Sequence, residues 1–233
     1  MRVTNLALDQ KYHEISQTGK AAASQQEVYV DHFLNDLPSD NRIGLTALIP
    51  IKGEVLESIK TVLSELSHID PFQYYYPLTD LHVTVLDFIG ATESLKVNPK
   101  QIKLYKEMLH NVLLDQKSFK IDLKGIVMSK GAVIAKGYYE HSLESIRNGL
   151  RYEATKKGLL LKERYEVVTA HVTMARFRSS LINPAQFVST IEKFENKSLG
   201  TIEVDKIDFV LHDWYNLKYK TQLLQRYPLQ KII

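Results

Sequence analysis

The sequence predicts an α+β fold built from two similar lobes. Strand and helix patterns run β-α-β-α twice, once before about residue 117 and once after it. Neighbouring strands are joined in places by hairpins, which argues against a purely parallel sheet. Two strands carry one motif, His82-Val83-Thr84 and His171-Val172-Thr173, and this internal match points to duplication of a lobe.

Residues 1–41 read as an N-terminal extension, irregular except for a short helix in 28–37 that is ended by Pro38-Ser39-Asp40-Asn41. The domain proper is expected over 42–233, with lobes of approximately 42–117 and 118–233 between which strands can exchange. Residues 43–49 form a strand stopped by Pro50, and 54–66 a helix with Val55, Ile59, Val62 and Leu63 on one face. An aromatic loop from Pro71 to Pro77 leads into a β-branched strand over 81–88, and Pro99 opens a helix that runs to Leu114. Strands over 119–127 and 132–136 flank Met128-Ser129-Lys130-Gly131 as a hairpin. A helix over 141–157, a strand over 167–177, a helix over 184–194 and strands over 201–212 and 217–229 complete the chain.

With 233 residues, 44% apolar and 24% charged, the chain has the composition of an ordinary globular protein. It has no cysteine, which excludes disulfides, thiolate metal sites and cysteine nucleophiles. No secretory run follows Met1 and no window approaches 18 uninterrupted apolar residues, so a soluble, cytoplasmic protein is expected, with no membrane role and no obligate protein partner. The net charge of +3 suits a compact phosphate compound better than long duplex nucleic acid.

The two motif strands coincide at His, Val, Thr, the apolar residue next in line, and a Phe six positions after the His, Phe88 and Phe177. Residues two apart on a strand share a face, so each His lies beside its Thr. Histidine changes protonation near neutral pH and threonine offers a neutral donor for a phosphoryl oxygen. If the lobes face each other, one neutral imidazole can take a proton from an attacking hydroxyl while the other, protonated, gives one to the leaving oxygen. No cofactor and no metal is needed for this. The competing readings are a pair of structural histidines and a zinc site; zinc would need a third ligand such as Asp87, which regular alternation places on the opposite face from His82.

The paired motifs resemble the signatures of the 2H phosphoesterase superfamily, which includes bacterial RNA 2',3'-cyclic phosphodiesterases also described as 2'-5' RNA ligases. Ala170 to Arg176 is similar to its second motif, and the resemblance runs from about Ile43 to Leu229. It implies a bilobal fold with pseudo-two-fold symmetry, antiparallel sheets, helices outside and a central cleft, with His82, Thr84, His171 and Thr173 as catalytic residues. It also implies a small cyclic nucleotide or an RNA terminus as partner; 2'-5' RNA ligation and a non-catalytic nucleotide- or RNA-binding module are the alternatives. Arg176 is a candidate to neutralise a phosphate, although alternation turns it away from the His171 face. Tyr75, in the aromatic loop, is a candidate for stacking on a base. Tyr219 is similar to a Tyr in many family C-terminal segments. Lys130 and Lys136, in or beside the hairpin, are within reach of the cleft rim, with a solvated role the commoner one, and His212 and Trp214 are assigned nothing beyond rim contacts.

Overall fold

In a computed structural model the protein is described over residues 4–93, 95–96, 98–163 and 166–231. The strands are β1 (Ile43–Pro50), β2 (Tyr74–Tyr75), β3 (His82–Thr92), β4 (Phe119–Met128), β5 (Ala132–Tyr139), β6 (Val172–Arg176), β7 (Ser198–Val204), β8 (Lys206–Asp213) and β9 (Gln222–Pro228). The helices are α1 (Asn5–Ser24), α2 (Val55–Ile69), α3 (Pro99–Leu113), α4 (His141–Lys156) and α5 (Pro184–Lys193). No helix among the described residues is long and apolar enough to cross a membrane.

The fold is α+β, as expected. The strands make one antiparallel sheet in the order β7-β4-β5-β6-β3-β1-β8-β9, with β2 added on β6. Strands β7 and β8 are separated in sequence only by Asp205, yet they lie toward opposite ends of this order, so the sheet is strongly curved. The expected single strand over 201–212 is therefore two strands. Asp205 breaks the run, β7 pairs with β4, and β8 pairs with β1.

The N-terminal segment departs most from expectation. Instead of an irregular stretch with a short helix at 28–37, it holds the twenty-residue α1, followed by two short 3-10 turns. Thr4 caps α1 by accepting from the backbone N–H of Ala7. The buried face, Leu8, Tyr12, Ser16, Gly19, Ala22 and Ala23, keeps helical spacing but is made largely of small or polar residues, so its apolar signal is weak. Small residues are what the contact requires. A Cβ on Gly19 would lie 2.1 Å from the Met128 carbonyl oxygen, so the helix backbone rests directly on β4. The buried Tyr12 hydroxyl donates to Gly137 O (3.0 Å) and accepts from Gly137 N (2.9 Å), satisfying the β5 backbone.

The two halves of the sheet meet at the pairing of Val83 on β3 with Val172 on β6. Arg147, projecting from α4 and only 1% exposed, spans that seam. It donates to the carbonyls of Thr84 and Val85 on one side, both at 2.8 Å, and of Thr169 (2.8 Å) and Val168 (3.0 Å) on the other. Burial pulls its guanidinium down to about 10, so it stays charged at neutral pH. Each carbonyl left unpaired in the interior costs about 1–3 kcal/mol. Arg147→Met is therefore expected to lower unfolding stability in urea by at least about 3 kcal/mol; a loss within about 0.5 kcal/mol, the range of an ordinary surface change, would show that the seam does not depend on it.

Candidate functional site: a cleft between two paired motifs

Because Val83 faces Val172 in an antiparallel pair, the register sets His82 opposite Thr173 and Thr84 opposite His171. Opposed residues share a face, so the four side chains form a square on one surface of the sheet. Diagonal neighbours in such a pair are about 7–8 Å apart at the backbone, which leaves room for a phosphate between the two imidazoles. All four side chains line one small pit at the seam, of about 80 Å³.

Bulges shift the phase of each strand beyond its motif. Leu48 of β1 faces Thr84 while Ala47 faces Leu86, so Val85 has no partner and the phase of β3 shifts by one. Asp87 then faces Thr46 and comes to the cleft side, where it accepts from the Thr46 hydroxyl at 2.8 Å. On β6, Thr173 faces Ile134 and Ala175 faces Val133, which leaves Met174 as the extra residue. Arg176 is carried to the His171 face by the same shift. Regular alternation had turned both Asp87 and Arg176 away; the bulges reverse both expectations, and each residue lines the pit. Phe88 and Phe177, one residue further on, are fully buried.

The surroundings of the two histidines differ. His82 Nδ1 lies 2.9 Å from the Asp80 carbonyl and 3.2 Å from Asn216 Nδ2; the amide donates to that same carbonyl at 3.1 Å, and the closer, accept-only carbonyl places the hydrogen on Nδ1 and leaves Nε2 for the cleft. His171 Nδ1 lies 2.7 Å from the Thr169 hydroxyl, a partner for either tautomer. Burial lowers both from the ordinary imidazole value. For His171 the positive charges of Arg147, His82 and Arg176 add to burial and bring it down to about 4. For His82 the Asp80 carbonyl and Asp87 oppose the effect of burial.

Around this square, Arg176 Nε donates to the Tyr76 hydroxyl at 2.9 Å and its guanidinium carbon stands 5.6 Å from the centre of the Trp214 ring. His212 Nε2 lies 2.8 Å from Thr46 Oγ1, on the other side of that hydroxyl from Asp87, and burial brings His212 to about 4. Asp87 reopens the question of a third zinc ligand, but one of its oxygens is engaged by Thr46, and no group of three or more His, Cys, Asp or Glu among the described residues is placed to hold a metal ion.

The fold is that of E. coli LigT. The apo form of LigT matches with a TM-score of 0.56 at 16% identity, over 82% of this chain and 99% of LigT. TT0787 of Thermus thermophilus matches at 0.58 and 14% identity, over 82% of this chain and all (100%) of its own. ATU0111 of Agrobacterium tumefaciens, a conserved protein of unknown function, matches at 0.50 and 14% identity, over 82% and 85%. LigT is also matched in complexes with 3'-AMP and with phosphate. No family model and no curated protein matches the sequence.

Within this LigT-like fold, several residues singled out in the sequence lie elsewhere. Tyr75 pairs with Ala175 through β2, and its hydroxyl donates to the carbonyls of Leu66 (2.9 Å) and Asp70 (2.7 Å), away from the pit. Tyr76, its neighbour, is the ring that reaches the site. Lys130 is exposed in the hairpin turn and Tyr219 is exposed on the C-terminal loop, and neither lines the pit. Lys136 is buried on β5 rather than solvated at a rim. His212 and Trp214, given only rim contacts, line the pit, because β8 runs beside β1 and brings His212 to Gly44, on the face of Thr46.

Imidazole NMR on the empty protein is expected to show His171 titrating near 4 and His82 also below the ordinary 6.5. Asp87→Asn should lower His82 further and leave His171 nearly unchanged. Titration of both histidines above 6.5 would contradict this account of the cleft's electrostatics.

Proposed function

We propose that this protein is a 2H-type phosphodiesterase that opens a cyclic phosphodiester on a small nucleotide or an RNA 2',3'-cyclic end without a metal ion. The observation that carries the reading is the square of His82, Thr84, His171 and Thr173 around the Val83–Val172 pair, which offers two imidazoles and two hydroxyls to one anion. The fold shared with LigT, which is matched in complexes with 3'-AMP and phosphate, supports it.

The unequal surroundings of the histidines suggest their roles. His82, whose charged form Asp87 and the Asp80 carbonyl favour, is assigned the proton that the pair carries before reaction. His171, surrounded by guanidinium groups, stays neutral and serves as the base. A water oxygen attacks phosphorus as its proton passes to His171; the phosphorus bond to one ribose oxygen breaks, and that oxygen takes the proton from His82 Nε2. The product is an open phosphomonoester with a free ribose hydroxyl. Thr84 and Thr173 donate to the non-bridging oxygens, and Arg176 offsets the charge that grows on them.

His82→Ala and His171→Ala are each expected to lower kcat by roughly 10²–10⁴-fold on 2',3'-cyclic nucleotides, in the presence of a chelator. Unchanged turnover in both would leave a binding module, and activity lost to chelator and restored by zinc would overturn the mechanism. The pH profile is set by the roles. The base must be neutral, so kcat/KM rises with pH through the His171 value near 4; the acid must be protonated, so it falls as His82 loses its proton below 6.5. A maximum on the acid side of 6.5 is expected for the free enzyme, whereas a maximum above pH 7 would contradict the assignment.

A further inference from the structure

The pit at the seam, at about 80 Å³, is far smaller than cavities that enclose an organic ligand, typically about 300–1,000 Å³. It suits a phosphate group and leaves the rest of a nucleotide to be held elsewhere. A second cavity, of about 450 Å³, adjoins it and shares His171, Thr173 and Arg176 as lining. One wall of this larger cavity is α1, through Lys11 and Ile15; Ala132 and Ile134 come from β5, and Val168 and Glu166 from the segment before β6. Ile134 faces Thr173 in the β5–β6 register, so the cavity continues the same surface of the sheet on which the catalytic square stands.

We infer that this second cavity is a nucleoside subsite, which takes the base and sugar of a single nucleotide whose phosphate occupies the pit, and that α1 forms its specificity wall. The inference rests on the phosphodiesterase reading above. The chemistry of the lining is that of a heterocycle site. Ile15, Ala132, Ile134 and Val168 offer apolar contact to a ring face, while Lys11 can donate to a ring carbonyl or ring nitrogen and Glu166, an exposed side chain held 3.8 Å from Arg151, keeps an oxygen to accept from an amino group. Lys11 is free to turn inward, since its partner Glu14 is a surface pair at 3.1 Å with both side chains more than half exposed. One donor and one acceptor at the mouth match the edge of a single base better than a run of phosphates. The substrate class is therefore a cyclic mononucleotide rather than a long RNA end.

The test uses the full chain and two variants. Ile15→Trp places bulk in the second cavity without touching the pit, and Lys11→Ala removes one polar contact from an exposed position where folding is not at stake. Inorganic phosphate and 3'-AMP binding are measured by calorimetry, and turnover of 2',3'-cyclic mononucleotides by steady-state kinetics. Ile15→Trp should weaken 3'-AMP binding and raise KM by at least about tenfold, a loss of about 1.4 kcal/mol, while phosphate affinity stays within about twofold. Lys11→Ala should shift KM in the same direction and alter the ranking of bases. If phosphate binds and both variants match wild type toward 3'-AMP and in KM, the subsite is overturned and the catalytic reading stands. If wild-type protein fails to bind phosphate at all, the catalytic reading fails and the subsite with it. A kcat/KM for an oligonucleotide with a 2',3'-cyclic end that exceeds the mononucleotide value by about tenfold would overturn the restriction to a single nucleotide.

Discussion

The pairing of Val83 with Val172, held from behind by Arg147, is the constraint on which the rest of the cleft depends. Hydrogen bonding between β3 and β6 at the seam centres on that one pair, and the guanidinium takes carbonyls on both sides of it. The bulge at Val85 frees one of them, and Arg147 Nε is the group that takes it. A buried cation with this many backbone acceptors does more than bind the halves together. It sets a positive field beneath His171 and so helps to hold that imidazole neutral.

Symmetry and its loss both serve the site. The two motifs supply equivalent His and Thr side chains, and each is succeeded by one unpaired residue, Val85 or Met174. The shift turns the residue five positions after the His into the cleft on both sides. One side then presents Asp87, fixed by Thr46, and the other presents Arg176, fixed by Tyr76. The two imidazoles thereby stand in unlike fields: Arg176 disfavours the charged form of both, while Asp87 favours it at His82 and Arg147 disfavours it at His171.

The sequence made the His-Thr pairs legible because residues two apart on a strand share a face whatever the rest of the strand does. It made most helices and strands legible through their apolar periodicity, as in α2, where Val55, Ile59, Val62 and Leu63 are all buried as expected. Asp87 and Arg176 were not legible, since a bulge leaves no mark in a run of β-branched and apolar residues and alternation then assigns the wrong face. Nor was α1, whose inner face relies on Ser16, Gly19 and Ala22 to bring two backbones together rather than on large apolar groups. His212 enters the site through the pairing of β8 with β1, distant in sequence and set by the curvature of the whole sheet.

A crystal structure with inorganic phosphate bound would test the central claim most directly. One phosphate is expected at the seam, with Nε2 of both His82 and His171 and the hydroxyls of both Thr84 and Thr173 within hydrogen-bonding distance of its oxygens. Phosphate held by the residues of one motif alone, or bound away from the Val83–Val172 pair, would contradict it.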